Sequence, residues 1–336
     1  MLKLLRNRYF TMFLRLAVAA FFLWWVLRDL KFSELTKLTW QGILLGVGSA
    51  VVLILTQVVL TALRWRMLLG GQGIQIAFPR AVSLTFQGCM FSLFMPGGAV
   101  GGDVLKAAFL TRETPSGHKV EGVTTIFLDR VIGMMGLFLL VLIAAGCCLP
   151  QILQFDPKIR LLTLIMVTVC LGGILAGLVL LFQDLFFRIR IFALLLEKAD
   201  RLAHGALTRI LASVEVCRRD RKTLLWAFLM SFLLLHPMLI SGAFLIIWSI
   251  TGCPPPFGGS ALAFLLGNTA SVAPVTPGGL GTRDKVIEVV LTAVGVEPAA
   301  ASLTPILYSI AMLSSGLAGI VFFLLDMGRI RRGNDN

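Results

Sequence analysis

The sequence predicts an all-α integral membrane protein: six full transmembrane helices plus two re-entrant broken-helix hairpins, arranged as an inverted-topology repeat. Three observations predict this. The chain has too few charges for a water-facing surface, it contains a series of apolar runs of membrane-spanning length, and a Pro-Gly-Gly break occurs twice at one displacement. Of the 336 residues, 57% are hydrophobic and 14% are charged, whereas a soluble domain carries ~25% charged residues. Mean hydropathy is +0.91.

A bilayer-crossing helix needs ~20 mostly apolar residues. The runs that qualify are 9–27, 41–63, 123–149, 161–182, 223–250 and 299–325. The first is preceded by Lys3, Arg6 and Arg8 and followed by Trp24, Trp25 and Arg28 rather than by a small-residue cleavage site. It is therefore expected to be a retained span and not a signal peptide. These spans leave no room for a sizeable soluble domain, so 1–336 reads as one membrane domain. The six cysteines form no CxxC or Cys/His pattern and read as small hydrophobes. No metal and no cofactor are expected. The net charge of +13 is spread over short segments between spans, where it sets orientation and meets anionic headgroups. Nucleic acid is not an expected partner.

Two further apolar stretches are interrupted. One runs from Pro79 through Pro96-Gly97-Gly98 to Leu110, the other from Gly258 through Pro277-Gly278-Gly279 to Val294. If both dip into the bilayer and return, the N-terminus, the Arg64–Arg80 region, the segment 184–222 and the tail with Arg329, Arg331 and Arg332 share one side. The positive-inside rule makes that side cytoplasmic. The segment 184–222 mixes Leu, Ile and Phe with nine Lys/Arg and five Asp/Glu. It reads as a basic amphipathic helix on the membrane surface, for anchoring or for gathering anionic lipid.

Pro96, Gly97, Gly98 and Asp103 recur as Pro277, Gly278, Gly279 and Asp284, each displaced by 181. The same displacement places Gln87 on Asn268, moves 41–63 into the fifth span and moves 122–149 over the sixth. Repeat A is thus 41–149 and repeat B is 222–330, with the span 161–182 inverting the second. Inverted repeats with broken helices near the midplane are characteristic of secondary transporters, because exchanged conformations supply states open to either side. Irregular backbone at membrane depth is tolerated where it lines a polar cavity.

The candidate site follows from the breaks. Gly97, Gly98, Gly101 and Gly102 precede Asp103 and Lys106, while Gly278, Gly279 and Gly281 precede Arg283 and Asp284. Unpaired N–H groups at a helix start, with glycines permitting close approach and a nearby cation, suit a phosphate. The alternative is that Pro and Gly only end helices and that Asp103 and Asp284 cap the next ones. Asp129 and Arg130 lie inside the third span, either as a gating pair or as an interfacial ion pair. Arg64 and Arg66 flank Trp65 at the end of the second span. That pattern is explained by a snorkelling anchor, with Arg64 also able to attract a phosphate where lipid enters. His236 before Pro237 reads as a helix-kink residue.

No P-loop, HExxH or GxSxG motif is present. The acidic residues and the three histidines are dispersed, so an enzyme is not expected.

At 91–110 (FSLFMPGGAVGGDVLKAAFL), 128–137 (LDRVIGMMGL) and 273–284 (APVTPGGLGTRD) the chain resembles the lysylphosphatidylglycerol synthase transmembrane-region family. Arg64-Trp65 matches the family's Arg-Trp after an early span. Asp284 stands where Glu is usual, and Lys106 stands where Arg is common. In bifunctional relatives this region flips aminoacylated phosphatidylglycerol, and a soluble aminoacyl-transfer domain follows it. The resemblance implies a stand-alone flippase-like membrane domain of a bacterial inner membrane, with both termini cytoplasmic. Expected partners are anionic phospholipid or lipid-linked glycan, a separate enzyme supplying the lipid, and a second copy in a homo-oligomer. The rival expectation is a membrane enzyme or enzyme subunit acting on a polyprenyl-linked sugar or lipid.

Overall fold

A computed structural model describes residues 40–94, 98–114, 118–182, 214–215, 220–272 and 281–334. The expected first span, Pro96 and Gly97, residues 277–280 and most of 184–222 lie outside the described residues. Described helices are α1 (Trp40–Gly71), α2 (Phe78–Phe94), α3 (Gly98–Glu113), α4 (Lys119–Cys147), α5 (Leu149–Gln154) and α6 (Pro157–Leu181). Next come α7 (Arg221–Met230), a π-helical turn (Ser231–Leu235), α8 (His236–Thr251), α9 (Phe257–Ala270), α10 (Thr282–Ala293) and α11 (Pro298–Asn334).

Five helices are long and apolar enough to cross a membrane: Leu44–Gly71, Lys119–Cys147, Pro157–Leu181, Arg221–Thr251 and Pro298–Asp326. They correspond to the last five runs read from the sequence. The protein is therefore a multi-pass, α-helical membrane protein. By contrast α2, α3, α9 and α10 have 17, 16, 14 and 12 residues. At 1.5 Å per residue they reach roughly 18–26 Å, short of the ~30 Å hydrocarbon thickness.

Local chemistry sets the helix limits. Pro157 occupies the first turn of α6, and the Asp156 carboxylate accepts from Lys158 N–H. Asp220 caps α7 by accepting from Thr223 N–H, and those hydrogen bonds hold its carboxyl below the usual range. The π-helical turn lies just before Pro237, which has no N–H for the carbonyl four residues earlier.

The core joins the short helices to the long ones. Ala62, Trp65 and Leu69 of α1 pack with Ala81 and Leu84 of α2, Leu110 of α3 and Ile126 of α4. A second cluster unites Leu68, Leu128, Ile132 and Ala227. Along α6 only Thr163, Cys170 and Gly177 are buried, and its leucines point outward, as a lipid-facing helix requires. Helix α2 packs on α3 and α11, α9 packs on α10 and α4, and α1 packs on α8.

Candidate functional site

The first cluster is built on α1, α3 and α4. Lys106 of α3 is 6% exposed. Its Nζ lies 3.6 Å from the centre of the Trp65 ring, an arrangement worth ~2 kcal/mol when desolvated. Trp65 is fully buried and donates Nε1–H to Thr125 Oγ1 at 3.2 Å. That bond fixes the indole so that its face meets the ammonium.

Beside it, Arg64 is 5% exposed. Its Nε donates to Asp129 Oδ1 at 2.8 Å, Nη2 donates to Asp129 O at 3.2 Å, and Nη1 donates to Ser231 Oγ in the π-helical turn. The sequence-based anchor at the water interface is thus corrected for Arg64 and Trp65. Helix α1 continues to Gly71, which carries both side chains into the core, while Arg66 is the exposed one and donates to Ile76 O.

The expected Asp129–Arg130 pair is also corrected. Adjacent helical residues project about 100° apart, so Asp129 reaches Arg64 while Arg130 turns to α3. There Arg130 binds Asp103 through Nε–Oδ2 at 2.6 Å and Nη2–Oδ1 at 3.1 Å. This bidentate pair is partly exposed, at 44% and 26% for the two side chains. Arg64, Lys106 and Arg130 face two carboxylates, Asp103 and Asp129. Among the described residues Lys106 has no ion-pair or hydrogen-bond partner, so it carries the positive charge left over.

The first Gly run differs from expectation. Gly98, Gly101 and Gly102 are already helical, and Asp103 binds Arg130 instead of capping α3. Gly102 serves close packing, since a Cβ there would overlap Gly88 O and Ser92 of α2. In the second half Gly281 has φ +86°, a left-handed conformation that suits glycine. Asp284 accepts from Gly281 N–H at 3.1 Å, so it does cap its helix.

Arg283 is 2% exposed. Its Nε donates to Asp284 Oδ1 at 3.2 Å, Nη2 donates to Ser309 Oγ, and its guanidinium lies 5.1 Å from the centre of the Tyr308 ring. Ser309 Oγ donates to the same Asp284 oxygen at 2.8 Å. Arg283 and Asp284 therefore tie α10 to α11. His236 Nε2–H donates to Gly133 O at 2.9 Å, which fits a structural role at the kink.

A third cluster went unread in the sequence: Arg80 of α2, Glu113 of α3 and Asp326 of α11. An acid at the end of an apolar span was the available signal. Ser231, Tyr308 and Ser309 carried no sequence signal at all.

A family model described as the lysylphosphatidylglycerol synthase TM region matches residues 12–319. The chain is also 26% identical over 313 residues to the UPF0104 membrane protein PH1989 of Pyrococcus horikoshii, covering 88% of this chain and 90% of that one. No solved structure matches the chain.

Proposed function

The chain belongs to the lysylphosphatidylglycerol synthase transmembrane-region family, and from this we propose that it is a lipid flippase. It would move a phosphate-containing phospholipid or glycolipid between leaflets of a bacterial inner membrane, without modifying it. The observation that carries the reading is Lys106, a buried ammonium with no carboxylate partner among the described residues, held against Trp65.

The Trp65 face holds the ammonium. An arriving phosphate takes over with charge-assisted hydrogen bonds, which are stronger than neutral ones. Asp103 of the partly exposed Asp103–Arg130 pair shares α3 with Lys106, and Arg130 of α4 can exchange a guanidinium bond with the headgroup. The acyl chains stay in the bilayer throughout. In this reading Arg283, bonded to Asp284 and Ser309, positions α10.

The packing pattern supports an inverted repeat of 41–149 and 222–330. Each half places the first arm of its hairpin on the last span of the other half, α2 on α11 and α9 on α4. Each half also bonds an equivalent aspartate to its own last span, Asp103 to α4 and Asp284 to α11. The short α2–α3 and α9–α10 pairs support re-entrant hairpins. With a sixth span at 9–27, both termini are then cytoplasmic.

The test is movement of labelled phosphatidylglycerol across proteoliposomes. Wild type should transport it, Lys106→Gln should reduce the rate to background, and Lys106→Arg should retain most of it. Transport by Lys106→Gln at the wild-type rate would refute the site. A chemically altered lipid product would instead identify an enzyme.

A further inference from the structure

Asp326 is the only Asp, Glu, Lys or Arg between Pro298 and itself, and it sits at the end of the apolar part of α11. Among the described residues its bonds all come from α2: Arg80 Nη1, Ser83 Oγ at 2.9 Å and Gln87 Nε2 donate to the one oxygen, Oδ2. Arg80 at the same time grips Glu113, its Nε lying 3.0 Å from each carboxylate oxygen. Arg80 opens α2 and Glu113 is the last residue of α3, so one guanidinium clamps the free ends of both hairpin arms. It then ties that closed end to the last span.

The other charges on helices packed against α11 are engaged elsewhere. On α1, Arg64 binds Asp129 and Arg66 binds Ile76 O. On α10, Arg283 and Asp284 bind each other and Ser309, and Lys285 binds Glu288. On α8, His236 binds Gly133 O. The contact between α2 and α11 packs Phe86 on Phe322 and Phe91 on Phe323 and brings α2 close to Gly316 and Gly319, and its charged component is one ion pair with two neutral helpers.

We propose that Arg80, Asp326 and Glu113 form a one-sided gate latch: Arg80 holds the α2–α3 hairpin against α11 when the mouth is closed, and releases Asp326 while keeping Glu113 when it opens. Glu113 makes release feasible, because a guanidinium leaving Asp326 still has a carboxylate and is never stranded. Carrying the three residues by 181 gives Ala261, Val294 and, in the opposite sense, Ala145. The counterpart contact between α9 and α4 is thus apolar. Both mouths are packed, but only one adds a charged tie, so salt and charge substitutions act on one alone. The role as a gate rests on the transport reading, whereas the latch itself does not.

Hydrogen–deuterium exchange on the full-length protein in lipid nanodiscs tests the latch without any transport. Arg80→Gln and Asp326→Asn should each raise exchange at least tenfold in 78–94 and 98–113, leaving 257–270 and 282–293 unchanged. The charge exchange Arg80→Asp with Asp326→Arg should recover part of the protection. A merely structural role would raise exchange in both hairpins together, and that outcome overturns the proposal. So does unchanged exchange in both single variants. Labelled phosphatidylglycerol in proteoliposomes then separates the two readings. If exchange rises locally but wild type moves no lipid, the latch stands and the transport reading falls. If wild type moves lipid and both single variants match its rate at every salt concentration, the gate is overturned.

Discussion

Replacing Arg64 by Gln should destabilise the protein far more than removal of a surface arginine. The pair it forms with Asp129 is 2.8 Å long, with side chains only 6% and 10% exposed. Arg64 is also the only hydrogen-bond donor to the Asp129 carboxylate among the described residues. Removing it strands a buried carboxylate and also frees Asp129 O and Ser231 Oγ. Breaking such a pair costs ~3–5 kcal/mol, against ~0–1 kcal/mol for an exposed pair. Adding Asp129→Asn removes the stranded charge, so the double variant should be more stable than Arg64→Gln alone, by about 2 kcal/mol or more. Equilibrium unfolding in bicelles, run as a double-mutant cycle, gives each value. If both single variants lose less than about 1 kcal/mol and their effects add, the pair is solvent-screened and the reasoning fails. The outcome also bears on transport, because any loss of lipid movement in Arg64→Gln must first be corrected for the folded fraction.

Two further predictions follow from the same geometry and from the orientation. Trp65→Leu removes the ring that holds Lys106, a contact worth ~2 kcal/mol when desolvated, and should slow phosphatidylglycerol movement several-fold at equal protein level; an unaltered rate would show that the ring does not position the ammonium. A single cysteine at position 205 of a cysteine-free background should resist impermeant thiol reagents in intact cells and react after lysis, and labelling from outside would invert the topology.

Much of the fold was legible because bilayer physics writes itself into composition. Five of the six apolar runs match helices of crossing length, and the Gly- and Pro-rich breaks fall between short helices. What the sequence concealed was who meets whom. The run 41–63 stops at Arg64 because charge ends a hydropathy window, yet the helix continues for two more turns. Arg64 and Trp65 thereby read as an anchor when they are core. Asp129 and Arg130 read as a pair because they are neighbours in sequence, and their angular separation on α4 sends them to different helices. Asp326 lies one residue beyond the run 299–325, where hydropathy gives no sign of its partners on α2.

On the proposed repeat, the chemistry lies where the halves depart from each other. At displacement 181, Gly102 corresponds to Arg283 and Lys106 to Ile287. In the first half the small Gly102 lets α2 and α3 close tightly, and the cation one turn later lies on Trp65 of α1. In the second half the cation occupies the glycine's place and is consumed by Asp284 and Ser309 at the α10–α11 contact. Ile287 fills the lysine's place, and α9 yields through Gly267, where a Cβ would clash with Ile287. Moving the cation by one turn therefore converts an ammonium held on an aromatic ring into an ion-paired tie between helices. On the proposed reading an anionic headgroup is held by the first hairpin alone while the second supplies a fixed wall. On the same reading the charged latch belongs to that hairpin, so the element proposed to bind the lipid is also the one whose release from α11 would admit it.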